Sequence, residues 1–240
     1  MKRVAILQSN YIPWKGYFDI INMVDLFIFH DDLQYTKSDW RNRNKIKTPN
    51  GTVWLTIPCG ADENRLICDV KLSNNSWQKQ HWNILKQHYS KTRYFKEYNG
   101  FFEDFYQNVQ WTNLSDFNQS MIKSISKNIL GIKTSFADSR IYNLKERKGK
   151  RVLELLKKTN ATNYLSGPAA KDYIDENEFI DEEIILEWMD YSGYPEYHQL
   201  YPPFAHNVSI IDLLFNEGPN TIKSMKSFQA ELSKEEIIKV

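Results

Sequence analysis

The sequence predicts an α/β fold: one open, parallel-rich sheet with a helical insertion. Two short apolar runs, residues 4–7 and 26–29, flank a helical pattern through Phe18, Ile21, Asn22 and Val24. Strand, loop, helix and strand within about thirty residues is how a parallel α/β unit reads. Polar residues then cluster just past both runs, and in open α/β sheets ligands sit beyond the carboxyl ends of the strands. Later strand-like and helical pieces continue the pattern, in the order β-α-β-β-β-α-α-α-β-α-β-α.

Each element has its own warrant. Residues 52–58 form a third apolar run, and after a turn at 60–64 the alternating stretch 66–72 is expected to pair with 53–57 as a hairpin. Ser76 is a suitable N-cap. Beyond it, Trp77, His81, Trp82, Ile84, Leu85 and His88 make an aromatic and apolar helical face, extended by Tyr94, Phe95, Phe102 and Tyr106. Asp116 is expected to cap the next helix, with Phe117, Met121, Ile122 and Ile125 at helical spacing and Gly131 as its stop. A helical subdomain at about 76–130 follows from this periodicity. Residues 134–139 read as a strand, 145–159 as a helix, 163–165 as a strand, and 184–189 as another. Ser209 caps a final apolar helix that Gly218-Pro219 ends, and a last helix is expected to run to the C-terminus.

Composition narrows the function classes. At 240 residues the chain is long enough for one domain with a sizeable core, and no internal repeat or linker divides it. Its hydrophobic fraction of 41% and charged fraction of 25% are ordinary for a soluble globular protein. A net charge of +1 argues against a general polyanion binder, so no nucleic-acid partner is expected. No signal-peptide core and no apolar run of the ~18 residues of a spanning helix is present, so no membrane insertion is expected and the cytoplasm is the expected location. Cys59 and Cys68 match no metal or disulfide framework.

Candidate site residues fall in clusters. Asp31 and Asp32 end the second apolar run; a carboxylate there can orient a hydroxyl, take a proton from an amine or hold Mg²⁺, or it can simply cap the turn. Gln34 and Tyr35 follow directly. Gln8 and Asn10 end the first run and both donate and accept, which suits sugar hydroxyls or a nucleobase. Tyr11, Trp14 and Tyr17 can stack on a sugar or base, or anchor the loop. Trp40, Arg41, Arg43 and Lys45 offer an indole, guanidinium forks and an ammonium, a combination suited to a diphosphate or to a solvated loop. His81 on its helix is a base or a structural histidine. Ser166 and Gly167 begin a small-residue turn before Asp172 and Tyr173, similar to an anion-binding nest. No carboxylate spacing completes a metal site.

Taken together these residues resemble the WbqC-like family of bacterial surface-polysaccharide clusters, over nearly the whole chain. The likeness runs through Gln8 to Phe18 (QSNYIPWKGYF), Asp25, Asp31-Asp32-Leu33-Gln34-Tyr35, Trp40-Arg41-Asn42-Arg43, Lys45 and Trp54. It resumes at His81, Tyr164-Leu165-Ser166-Gly167, Asp172-Tyr173 and residues 209–218 (SIIDLLFNEG). Cys59 stands where many members carry an aliphatic residue, which disfavours a thiol mechanism. The resemblance implies a role in O-antigen or other glycan biosynthesis beside amino-deoxy sugars. A looser likeness to Rossmann-like nucleotidylyltransferases is at fold level only, and Tyr17 stands where those enzymes usually carry a histidine.

The function expected from residues and resemblance is modification of a nucleotide-linked deoxyamino sugar, by N-acyl transfer to its amino group. Arg41, Arg43 and Lys45 would hold the diphosphate and Tyr11, Trp14, Tyr17 and Trp40 would frame the pocket. Asp32 or His81 would take the proton, and backbone N–H groups at Ser166-Gly167 would stabilise the oxyanion. The acyl donor stays open between coenzyme A, an acyl-carrier protein and an acyl-adenylate made from ATP. Two other readings stand beside it: a non-catalytic sugar-nucleotide or glycan-binding protein, and a glycosyltransferase using Asp31-Asp32 to hold a metal.

Overall fold

β1 (Arg3–Leu7) is the central strand, and the sheet is built outward from it. From its end the chain enters α1 (Lys15–Asn22) and returns as β2 (Leu26–Phe29), parallel to β1 with Val4 opposite Leu26. β5 (Ser135–Asp138) adds parallel to β2. The chain then crosses to the other side of β1, where β6 (Asn163–Ser166) and β7 (Ile185–Trp188) complete a five-stranded sheet in the order β5-β2-β1-β6-β7. Every pairing is parallel, a Rossmann-like open sheet, and the strand order reverses between β1 and β6. The computed structural model describes residues 1–72 and 74–229.

Alternation along the strands divides the core in two. Ala5, Phe27 and Phe29 point to one face, and Val4, Ile6, Leu26 and Ile28 to the other. The second face is covered by α5 (Lys148–Lys158) through Val152, Leu155 and Leu156, and by Phe179 of α6 (Glu176–Asp181). The first face is covered by α1 and by the helices between β2 and β5. These are α2 (Ser76–Tyr89), α3 (Phe95–Glu103) and α4 (Leu114–Ser124), the last two each continued by a π-helical turn. Trp77, Trp82, Phe102, Phe117 and Ile122 share one apolar cluster with the sheet and with α7 (Ile210–Glu217).

Several details differ from the sequence expectations. The segment at 43–48 is a strand: β3 (Arg43–Thr48) pairs antiparallel with β4 (Gly51–Thr56), so the expected partner at 66–72 is displaced. The reason is local, since Pro49-Asn50 closes the pair directly and Gly51 takes φ 102 at the turn. At 66–72 a 3₁₀ turn (Ile67–Asp69) forms between isolated bridges of Leu66 with Gln34 and Lys71 with Asn113, and Ile67 N and Cys68 N donate to Leu33 O and Asp31 O. Asn113, and not Asp116, caps α4: its side chain accepts from Asp116 N at 3.1 Å. Ser76 is the first helical residue and Asn75 precedes it. Ser209 does cap α7, accepting from Ile211 N at 3.2 Å. Past it, residues 218–224 and 226–228 are 3₁₀ turns, and the rest of the expected terminal helix lies outside the described residues. No helix among the described residues is long and apolar enough to cross a membrane.

Candidate functional site

A cleft of about 640 Å³ opens where β1 and β6 end side by side. That is the reversal point of the strand order, the position at which open α/β sheets bind ligands. The end of β1 contributes Leu7 and Gln8, and the following loop contributes Asn10, Pro13, Trp14 and then Tyr17. β6 contributes Tyr164 and Ser166, followed by Gly167, Pro168 and Ala169. Trp40, Arg41 and Asn44 close one side, and Tyr191 and Asn207 another.

The loop after β1 is held from several directions. Asp31, fully buried, accepts from Ser9 N at 2.7 Å, from Gln119 Nε2 at 3.1 Å and from the Ser115 hydroxyl. Asn44 Nδ2 donates to Tyr11 O at 3.1 Å and to Ile12 O at 2.8 Å. Tyr17 donates to Gln8 O at 2.8 Å. Ile12 takes φ 35, a left-handed conformation that a β-branched residue seldom adopts, inside this loop. Gly16 is needed because the Trp14 indole lies against it: a Cβ there would come within 2.3 Å of the ring. Trp14 also packs edge-on to Tyr191 and Tyr194 at 5.2 and 5.4 Å.

Among the described residues Arg41 is the only charged side chain lining the cleft. It donates to Gln8 Oε1 at 2.6 Å and pairs with Asp39 at 2.9 Å, which fixes its fork at the rim of β1. The Tyr17 hydroxyl is pushed up by burial and by the Asp31 charge, so it stays a protonated donor. Asn10 lines the cleft, and its Oδ1 is buried with no hydrogen-bond partner. The turn at Ser166-Gly167 offers less than its spacing suggested: Pro168 has no N–H and Ala170 N is taken by Gly167 O at 3.1 Å.

The expected site residues therefore separate. Gln8, Asn10, Trp14, Tyr17, Trp40, Arg41, Ser166, Gly167 and Tyr173 line the cleft. Tyr11 does not: it is fully buried, its hydroxyl 2.7 Å from both His81 Nδ1 and the Tyr106 hydroxyl. His81 sits in that core network against Trp77, and burial lowers its pKa to about 4, so it is neutral there. Asp32 is engaged by Arg151 and by the Ser139 hydroxyl at the ends of β2 and β5. Beside it His30 accepts from Arg151 Nε at 3.1 Å and is held neutral by burial. Asp31 and Asp32, in the loop just past β2, thus face different partners. Gln34 is exposed, Tyr35 is buried beside Cys59 and Arg65, and Asp172 is exposed outside the cleft. Arg43 and Lys45 lie on the outer face of β3 against Trp54.

Tyr191 and Asn207 are lining residues with no expectation attached to them, whereas Tyr164 belongs to the resemblance motif and Asn44 to the basic stretch after Trp40. Asn44 had a signal, since it sits between two cationic residues on an alternating strand. Tyr191 and Asn207 come from the irregular strap between β7 and α7, where no periodicity marks an inward residue.

A family model described as the WbqC-like protein family matches residues 8–224. The chain is 45% identical over 220 residues to a protein of Mycobacterium tuberculosis described as uncharacterized, covering 91% of this chain and 95% of that protein. No solved structure matches.

Proposed function

The chain belongs to the WbqC-like protein family, and from that premise we propose that it is a cytoplasmic enzyme modifying a nucleotide-linked deoxyamino sugar, by N-acyl transfer to the sugar amino group. The observation that carries this reading is the cleft between β1 and β6, with indole and phenol platforms, side-chain amides and one guanidinium. Its volume of about 640 Å³ is that of a small-molecule site. Trp14 and Trp40 stack on pyranose or base faces, with the Tyr17 ring buried beneath them. Gln8, Asn10 and Asn207 read hydroxyls, Asn44 holds the loop after β1, and Arg41 binds a phosphate oxygen.

In this reading the free amine attacks the carbonyl carbon of an activated acyl donor, a thioester or an acyl-adenylate. A C–N bond forms, the donor's carbonyl–leaving-group bond breaks, and the amine proton leaves to solvent or to the departing group. Neither carboxylate nor imidazole lines the cleft among the described residues. An amine next to electron-withdrawing oxygens titrates near the ~7.7–8.0 of an α-amino group, so much of it is already a nucleophile at neutral pH. Asp31 and His81 then act by holding the loop after β1 in place.

The lining set also favours a second reading, a sugar-nucleotide or glycan-binding protein without turnover, because binding needs no base. The deciding experiment offers the protein UDP-, GDP- and dTDP-linked amino sugars with acetyl-coenzyme A or with ATP and acetate. Binding is followed by thermal shift and product by mass spectrometry. An acylated sugar nucleotide supports the enzyme. Binding with no product supports the binding protein, and no shift with any of them removes the sugar-nucleotide reading.

A further inference from the structure

We propose that the outer face of the β3–β4 hairpin is a second subsite, which takes the nucleoside diphosphate end of a ligand whose sugar end enters the cleft. This rests on the nucleotide-sugar reading given above. Alternation along β3 turns Asn44 and Ile46 inward and Arg43 and Lys45 outward, opposite Thr56 and Trp54 of β4. The Trp54 ring is 41% exposed, with the Arg43 guanidinium 4.3 Å and the Lys45 ammonium 4.9 Å from its centre.

Among the described residues neither cation has a carboxylate partner. The guanidinium and the ammonium lie over the Trp54 ring on the outer face, and an anionic ligand oxygen there would gain charge-assisted hydrogen bonds. Trp40, also 41% exposed, joins the two surfaces: it lines the cleft and its ring lies 5.3 Å from that of Trp54. Arg41 is the one cation lining the cleft among the described residues, and a diphosphate carries more charge than one guanidinium neutralises. Arg43 and Lys45 supply the remainder. An exposed indole between them offers a stacking platform for the base. The chain's net charge is only +1, so attraction of such a ligand depends on this local pair.

The rival account is that ring and cations only staple the hairpin together. Calorimetric titration of the full chain with UDP, GDP and dTDP and with their sugar conjugates separates the two. Trp54→Ala, and separately the double variant Arg43→Gln/Lys45→Gln, should each weaken diphosphate and sugar-nucleotide binding about tenfold. Trp54→Phe should retain most of it. In ¹⁵N spectra the indole signals of Trp40 and Trp54 should move on adding the free diphosphate. Wild-type binding matched by both variants, with only melting temperature changed, overturns the subsite and leaves the cleft reading standing. No binding of any conjugate by the wild-type chain overturns both.

Discussion

The carboxyl edge of the sheet has two halves that differ in kind. Where β1 and β6 end, the walls are aromatic rings, amides and one guanidinium around open space. Where β2 and β5 end, carboxylates and cations crowd together and satisfy one another. Asp32 is engaged by Arg151 and Ser139. Asp138 accepts from the Arg140 fork at 2.8 and 2.9 Å and from Gln119 at 2.8 Å. Burial opposes ionisation of Asp138, yet those hydrogen bonds hold its carboxyl below the usual range. The half richer in chemically active side chains is closed, and the poorer half is the cleft. Density of titratable groups is therefore a weak guide here: buried charges need partners, and once partnered they have little left for a ligand.

The largest effect should come from Asp31, which ties the two halves together. Asp31→Ala strands the Ser9 amide and the Ser115 hydroxyl proton in the interior, while Gln119 keeps its bond to Asp138. A loss of about 3 kcal/mol or more is expected, read as a melting temperature lower by about 6–12 °C. Because the loop after β1 loses its anchor, sugar-nucleotide affinity should fall with it. A stable variant with intact binding would break the link drawn between the carboxylate and the cleft.

Arg151→Leu should separate the halves. It leaves Asp32 poorly compensated at 15% side-chain exposure. Stability should drop by roughly 2 kcal/mol, less than for a fully buried pair. Ligand affinity measured by calorimetry should stay unchanged, and a tenfold loss would mean that the charged cluster reaches the ligand after all. Arg41→Ala should do the reverse. Its side chain is 18% exposed and bonded to Asp39 and Gln8, so stability should fall by only about 1 kcal/mol, while affinity for a phosphorylated ligand should fall tenfold or more, about 1.4 kcal/mol. Unchanged affinity would remove Arg41 from the site.

The smallest effect concerns pH. Burial lowers the His81 pKa from 6.5 to about 4. Between those values the unfolded chain binds a proton that the folded one does not, so stability should rise with pH across that window and fall on acidification. His30 is shifted in the same direction by burial. Single substitutions, His81→Gln in the core below the cleft loop and His30→Gln in the charged cluster, should each remove part of the slope of melting temperature against pH from 4 to 6.5. An unchanged slope in either would show that histidine to be charged or solvated in the fold.

Much of the sheet was legible because its signals are local. Apolar runs of strand length, a helical pattern between them and polar residues at their ends are set within a few dozen residues, and β1, β2, β5, β6 and β7 formed where expected. The hairpin was harder. Arg43 and Lys45 look like a solvated loop until Asn44 and Ile46 are seen to be buried beside them. That alternation was present in the sequence, but charge masked it. The cleft was half legible: the residues just past β1 and β6 line it, since strand ends sit at the edge by construction.

By itself the sequence determined the fold class, the parallel sheet, the two polar edge clusters and the family, because periodicity and motif need no knowledge of distant neighbours. Only the tertiary structure decided which cluster stayed open. Asp32 meets Ser139 and Arg151, 107 and 119 positions away. His81 meets Tyr11, 70 positions away. Whether a carboxylate or an imidazole is a reagent or a strut depends on what desolvates and pairs it, and those partners arrive only when the chain has closed around them.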